Sequence, residues 1–337
     1  MSITQGAVER LLNYIWYGDS LFSWCLIPLT WPVRWTIYHR RRLALPKGST
    51  PEAITVIVVG GLTAGGTGKT PVLIGLGKWL TERGYRVGVI SRGYGGTHGP
   101  EPYSVTAVDA AAVVGDEPLL IQRALGVPVV VCADRKWALE VLAAEGVVDV
   151  VLSDDGLQHY PMPRDIEVLV LDAQRGLGNG RLLPAGPLRE PASRLASVDF
   201  VLERNSGDPD RSFSYQPSKI THLASGRQVT WSECVAELQA QSIVAITGLG
   251  QPTQFFEMLR GQGLSIEAES LGDHEAMTQA HLDRREEQVV LITVKDGVKL
   301  PECADPRVWV VAIDVALPSS LLTRLTALLP PARFVEA

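Results

Sequence analysis

The stretch Val56-Ile57-Val58-Val59-Gly60-Gly61-Leu62-Thr63-Ala64-Gly65-Gly66-Thr67-Gly68-Lys69-Thr70 constrains the fold more than any other part of the chain. Four β-branched residues predict a short buried strand, a glycine-rich loop follows, and Thr70-Pro71 opens a helix carrying Leu73, Leu76, Trp79 and Leu80. Strand, loop and helix in this order form a cradle in which backbone N–H groups and a helix N-terminus face an anion. The spacing makes Thr63, Ala64, Gly65, Gly66, Thr67, Gly68, Lys69 and Thr70 the candidate phosphate-binding residues. Lys69 would lie along the β- and γ-phosphates, and the Thr70 hydroxyl is a candidate magnesium ligand. The strict pattern G-x-x-x-x-G-K-[ST] asks for glycine where this chain has Thr63.

With 337 residues, 46% of them hydrophobic, the chain can bury two α/β lobes. A net charge of −6 provides no general field for nucleic acid. Cys25, Cys132, Cys234 and Cys303 form no C-x-x-C pair, which argues against a zinc site or a disulfide framework.

Further strands are predicted at 86–90, 127–132, 147–152 and 167–171. The first ends in Ser91-Arg92-Gly93-Tyr94-Gly95-Gly96, where Arg92 either meets phosphate or closes the loop. Gly115-Asp116-Glu117-Pro118 precedes a helix over 119–125; its carboxylates either favour the helix N-terminus or face a nucleotide. The strand at 147–152 runs into Ser153-Asp154-Asp155-Gly156-Leu157-Gln158-His159, a Walker B arrangement that makes Asp154 and Asp155 candidate metal ligands. A long loop from Arg175 to Glu190 carries Arg175, Arg181 and Arg189 and is rich in Gly and Pro. The pattern weakens over 206–241. A second, smaller α/β lobe follows, with strands near 242–246, 264–267, 289–294 and 308–313 and a last helix over 318–329.

The N-terminal region is aromatic and then basic. Trp16, Tyr17, Phe22, Trp24, Trp31 and Trp35 are followed by Arg40, Arg41, Arg42 and Lys47, while Pro28, Pro32 and Arg34 interrupt the apolar run. This composition suits a membrane interface better than a spanning helix. A helix packed on the protein's own core, with a solvated basic tail, is the competing reading.

Taken in order, Ile15-Trp16-Tyr17-Gly18, the loop from Gly61 to Pro71, Ser91 to Gly96, Gly115 to Pro118, Asp154 to His159, Gly178-Asn179-Gly180, Leu183 to Glu190 and Asp273-His274 resemble the tetraacyldisaccharide 4′-kinase family of lipid A biosynthesis. The resemblance implies a P-loop NTPase-like α/β fold with a mainly parallel sheet, a second α/β lobe and an N-terminal membrane-associated helix. It divides the chain into an interface segment (1–50), a P-loop kinase core (51–205), a linker (206–241) and a C-terminal lobe (242–337). It implies transfer of the γ-phosphate of ATP, with Mg2+, to the 4′-hydroxyl of a tetraacylated glucosamine disaccharide 1-phosphate at the cytoplasmic face of the inner membrane, giving lipid IVA.

By the same resemblance Asp116 is the catalytic carboxylate, His274 its partner from the second lobe, and Lys69 the phosphate-binding lysine. Arg189 joins the nucleotide site, Glu117 joins Thr70, Asp154 and Asp155 around the metal, and Arg92, Gln158, His159 and Asn179 face the acceptor. Thr63 is ordinary within this family. The chain departs from it at Val294, where relatives often have Glu, and at Glu275, where they often have a second His. The rival classes are a GTPase, for which the chain lacks an Asn-Lys-x-Asp guanine signature, and a regulatory nucleotide-binding module without a lipid substrate.

Overall fold

The computed structural model describes residues 11–18, 20–44, 47, 49–50, 54–272, 277–300 and 303–332. Contacts divide the chain into two units, one comprising Met1–Ser214 with Leu317–Ala337, the other Tyr215–Ala316.

The first unit is built on a mainly parallel sheet whose strands are β1 (Thr55–Gly60), β2 (Val87–Ser91), β3 (Tyr103–Val105), β4 (Val129–Val131), β5 (Val150–Asp154), β6 (Ile166–Asp172) and β7 (Phe200–Arg204), in the order β7-β6-β1-β5-β2-β4-β3. Only β3 runs antiparallel to its neighbour here. A sheet covered on both faces needs strands that are apolar throughout. Accordingly Val56, Ile57, Val58 and Val59 of β1 are all fully buried. Helix α1 (Thr30–Arg41) contributes Ile37 to the core on one face. Helix α2 (Lys69–Glu82) buries Val72, Leu73, Leu76 and Leu80, an i, i+1, i+4, i+8 stripe. Helices α3 (Asp116–Leu125) and α4 (Arg135–Glu145) complete the βα alternation.

In the second unit, β10 (Ile243–Thr247) lies between β11 (Ile266–Ser270) and β12 (Val289–Thr293), with β13 (Val308–Ala316) beyond, all parallel. Its core includes Phe255, Phe256 and Leu259 from the helix Pro252–Gly261.

The stretch 206–241, expected as a linker, is instead ordered secondary structure. It holds β8 (Ser212–His222), β9 (Gln228–Thr230) and the helix Trp231–Gln239, whose capping box joins Thr230 and Glu233. The start of β8 pairs with β7, and Lys219, Ile220 and Thr221 pair antiparallel with β9. The last helix, α5 (Ser319–Leu328), belongs to the first unit rather than the C-terminal lobe. There the Arg324 guanidinium lies 4.5 Å from the Phe200 ring centre, and the Tyr85 hydroxyl donates to the Pro330 carbonyl at 2.7 Å. At the other end, the N-terminal region is broken into a helical stretch at 11–17, a turn of helix at Phe22–Cys25 and α1. Among the described residues no helix is long and apolar enough to cross a membrane.

Candidate active site

Strand register assembles the site. Because β1 pairs with β5 so that Val59 faces Asp154, the loop leaving β1 emerges beside the acidic pair ending β5. β2 lies on the other side of β5, and Ser91 at its end donates its hydroxyl to Asp154 Oδ2 at 3.0 Å. These are the carboxyl ends of parallel strands, where open α/β sheets collect ligands.

Gly68 is the N-cap of α2, with Lys69 and Thr70 as its first residues, so the helix N-terminus points into the loop. Thr63 has a structural reason to be there: it is buried and forms an isolated antiparallel bridge with Leu188, an extended position that a β-branched residue suits. The neighbouring bonds Ala64 N–H to Pro187 O (2.8 Å) and Arg189 N–H to Leu62 O (2.7 Å) stitch the cradle to the loop that ends in Glu190.

Arg189 grips Asp155 with both carboxylate oxygens engaged, at 2.7 and 2.8 Å, and donates to the Gly61 carbonyl at 2.7 Å. Lys69 Nζ lies 3.8 Å from the same carboxylate. Burial works to raise the Asp155 pKa, but Lys69 and Arg189 outweigh it and hold the group down at about 2. Asp154 is the opposite case. Burial, then the charges of Glu117 and Asp155, push it up to about 7 against Arg135 and Lys69.

Asp154 Oδ1 is buried and has no hydrogen-bond partner, and Glu117 lies within electrostatic reach. Among the described residues no three His, Cys, Asp or Glu side chains converge as a ready metal cage. Mg2+ needs none, since it binds through one or two carboxylates with phosphate oxygens and water. The orphaned oxygen and the crowded negative charge fit that ion, and Thr70, the second residue of α2, supplies a hydroxyl from the same helix start as Lys69.

Asp116 and Glu117 begin α3 behind Gly115, which has φ +93°. A Cβ on Gly115 would sit 2.7 Å from the Tyr94 carbonyl oxygen, so only glycine lets the 91–96 loop pack against this helix start. The cap itself is Gly115, and Asp116 and Glu117 occupy the first turn, which favours negative charge.

The residues expected at the acceptor divide. Arg92 is exposed, and its charge reaches Arg135. His159 is half-buried, with Nε2 3.8 Å from Asp134 Oδ1; burial and then Arg135 depress its pKa to about 4. Gln158 is engaged internally, donating to Gly61 O at 3.2 Å and to Glu190 Oε1 at 2.8 Å. Asn179 is a clasp: its side-chain amide donates to Ile15 O (3.1 Å) and Ala185 O (2.8 Å), and its Oδ1 accepts from Arg181 N (3.1 Å). His274 lies outside the described residues, as do Asp273 and Glu275.

Two residues that the sequence reading passed over shape the site. Buried Arg135, at the start of α4, donates to the carbonyls of Asp154 (2.9 Å) and Asp155 (3.1 Å) and fixes the turn between them. Fully buried Glu190 receives Gln158 and the Tyr160 hydroxyl, bracing the loop from below. Glu190 ends a recognisable motif; Arg135 has no sequence signal beyond following a strand.

A parallel sheet with a glycine-rich loop running into a helix N-terminus, and an acid on the neighbouring strand, defines a P-loop NTPase-like protein built to hold nucleotide phosphates. Comparison with known proteins specifies it further. The chain belongs to the LpxK family, tetraacyldisaccharide-1-P 4′-kinase, whose pattern it matches over residues 22–330. It is 43% identical to the tetraacyldisaccharide 4′-kinase of Alcanivorax borkumensis, over 95% of this chain and 97% of the relative. The Pseudomonas aeruginosa protein of that name is 42% identical, covering 92% of this chain and 94% of its own length. The crystal structure of "apo" form LpxK from Aquifex aeolicus in complex with ATP superposes with a TM-score of 0.72 at 26% identity, covering 92% of this chain and all of that one.

Proposed function

We propose that this chain is an ATP-dependent kinase that phosphorylates the 4′-hydroxyl of a tetraacyldisaccharide 1-phosphate, the lipid IVA-forming step of lipid A biosynthesis. The observation that carries the reading is the Lys69–Asp155–Arg189 cluster at the mouth of a phosphate loop, in a chain whose family acts on that acceptor.

Phosphoryl transfer depends on charge neutralisation and in-line placement. The loop amides of 63–70 cradle the β- and γ-phosphates, and Lys69 and Arg189 lie along the charge that grows between them. The acceptor's 4′-oxygen attacks the γ-phosphorus, the bond to the β,γ-bridging oxygen breaks, and ADP leaves. Asp116 accepts the hydroxyl proton, and His274 is its assigned partner through the resemblance of the Asp273-His274 pair. Thr70, Asp154, Asp155 and Glu117 are the residues that would hold Mg2+, which when bound neutralises phosphate charge.

The acceptor's acyl chains lie in a bilayer, and the exposed aromatic N-terminal region is suited to meet its surface at the cytoplasmic face. An ATP-dependent phosphorylation assay on the disaccharide 1-phosphate in detergent micelles tests the reading. The wild type is expected to turn over, and Asp116→Ala to lose roughly 10²- to 10⁴-fold in kcat at saturating ATP. Tight ATP binding without acceptor-dependent ADP release would favour a regulatory nucleotide-binding module instead.

A further inference from the structure

A polar pocket of about 320 Å³ opens between the helical stretch at 11–17 and the loop that follows β6, lined by Asn13, Tyr17, Gln174, Arg175 and Gly178. Its volume is at the small end of ligand sites. Its lining offers one guanidinium, two carboxamides, a phenol and no carboxylate. That set donates hydrogen bonds to a phosphate and to neighbouring sugar hydroxyls. The Arg175 guanidinium lies 5.0 Å from the centre of the Tyr17 ring, a cation–π contact that favours its placement at the pocket. Asp172, three residues earlier, is engaged by Arg204 at 2.7 Å. Gly178 is demanded by close approach, because a Cβ there would meet Trp16 O and Pro187 Cγ at 2.7 Å.

We propose that this pocket binds the phosphate at the 1-position of the acceptor, and that Arg175 is the specificity-determining residue there. The assignment rests on the kinase reading above. It is supported by the way the loop is fastened at both ends. Next to the pocket, Asn179 N–H donates to Trp16 O at 2.8 Å and the Trp16 indole donates to Pro184 O at 3.0 Å, so helix and loop form one body. At its far end the same loop delivers Arg189 to Asp155 and to the Gly61 carbonyl of the cradle. One loop thus separates a phosphate-transferring end from a phosphate-recognising end, as a substrate with reacting and non-reacting ends requires.

The test compares wild type, Arg175→Gln, Arg175→Lys and Tyr17→Phe in uncharged detergent micelles, using the acceptor with and without its 1-phosphate. Losing a charge-assisted hydrogen bond predicts a roughly 10- to 100-fold rise in acceptor KM for Arg175→Gln, with kcat and the KM for ATP retained. The lysine variant is expected to fall between, and Tyr17→Phe to lose less. The acceptor lacking the 1-phosphate is expected to show the raised KM with wild type and Arg175→Gln alike. An unchanged KM in Arg175→Gln, or an equal penalty on both acceptors, overturns the assignment. An effect of Arg175→Gln that appears only after anionic phospholipid is added makes the pocket a bilayer headgroup site and also overturns it. A wild type that fails to phosphorylate the acceptor removes the kinase reading itself, whereas an active wild type with an indistinguishable Arg175→Gln removes only the pocket.

Discussion

Asp155 occupies the left-handed region at φ +45°, a conformation that Asp tolerates better than most residues. It thereby turns its carboxylate toward Arg189 and Lys69 while Asp154 faces inward to Ser91. The planar fork of Arg189 is what reaches both oxygens of Asp155 and the Gly61 carbonyl together. Lysine cannot reproduce that geometry. Arg189→Lys is therefore expected to lower kcat/KM for ATP by about tenfold or more, measured under saturating acceptor, with Arg189→Ala lower still. His159 makes a second prediction, on stability. Its pKa falls from 6.5 to about 4 on folding, through burial and then the charge of Arg135. Between these values the unfolded chain binds a proton that the folded one excludes. This contribution to stability is complete above pH 6.5, falls as the pH drops toward 4 and levels off below. Urea unfolding of wild type and His159→Gln across that window checks the sign, since the variant is expected to show the shallower decline.

At the scale of elements, the site depends on where α3 begins. Alanine at Gly115 meets both a left-handed φ and the Tyr94 carbonyl, so Gly115→Ala is expected to cost about 1–3 kcal/mol. It is also expected to lower kcat by displacing Asp116, with thermal melting and turnover measured on the same preparation. The elements that the sequence made legible are those whose local pattern and burial agree. β1, β5 and β6 are mostly apolar runs buried except at Thr55, and the spacing from Gly60 to Thr70 left one plausible structure for the loop. β8 escaped notice because its eleven residues alternate irregularly between buried and partly exposed, and Pro217 interrupts the pattern. Within the site, the meeting of Lys69 with Asp155 was readable because each follows, directly or through the glycine loop, from one of two strands that pair side by side. Arg135 was not, because a buried arginine that holds two carbonyls is written in the same letter as a surface one. Likewise, nothing in the sequence of the 175–190 loop separates Asn179, which clasps the N-terminal helical stretch, from a residue facing substrate.

For the whole molecule, the N-terminal region leaves Leu21, Phe22, Trp24, Trp31 and Trp35 more than half exposed, while Ile15 and Ile37 fasten it to the first unit. Exposed apolar surface on that scale calls for a partner, and a bilayer carrying the acceptor suits its aromatic and basic character. Trp31→Ser combined with Trp35→Ser is expected to reduce partitioning onto anionic vesicles and raise the apparent KM for the lipid, leaving the KM for ATP in place. Unchanged partitioning would count against an interfacial role for this face. The loop that runs from the Asn179 clasp to Arg189 has one further consequence. A segment bonded at one end to the N-terminal helical stretch and at the other to the nucleotide cradle couples whatever ligand orders either end to the other, and this dependence is reciprocal. Nucleotide affinity measured with and without acceptor is therefore expected to differ by the same factor as acceptor affinity measured with and without nucleotide, making the loop a thermodynamic link between the nucleotide and the lipid acceptor.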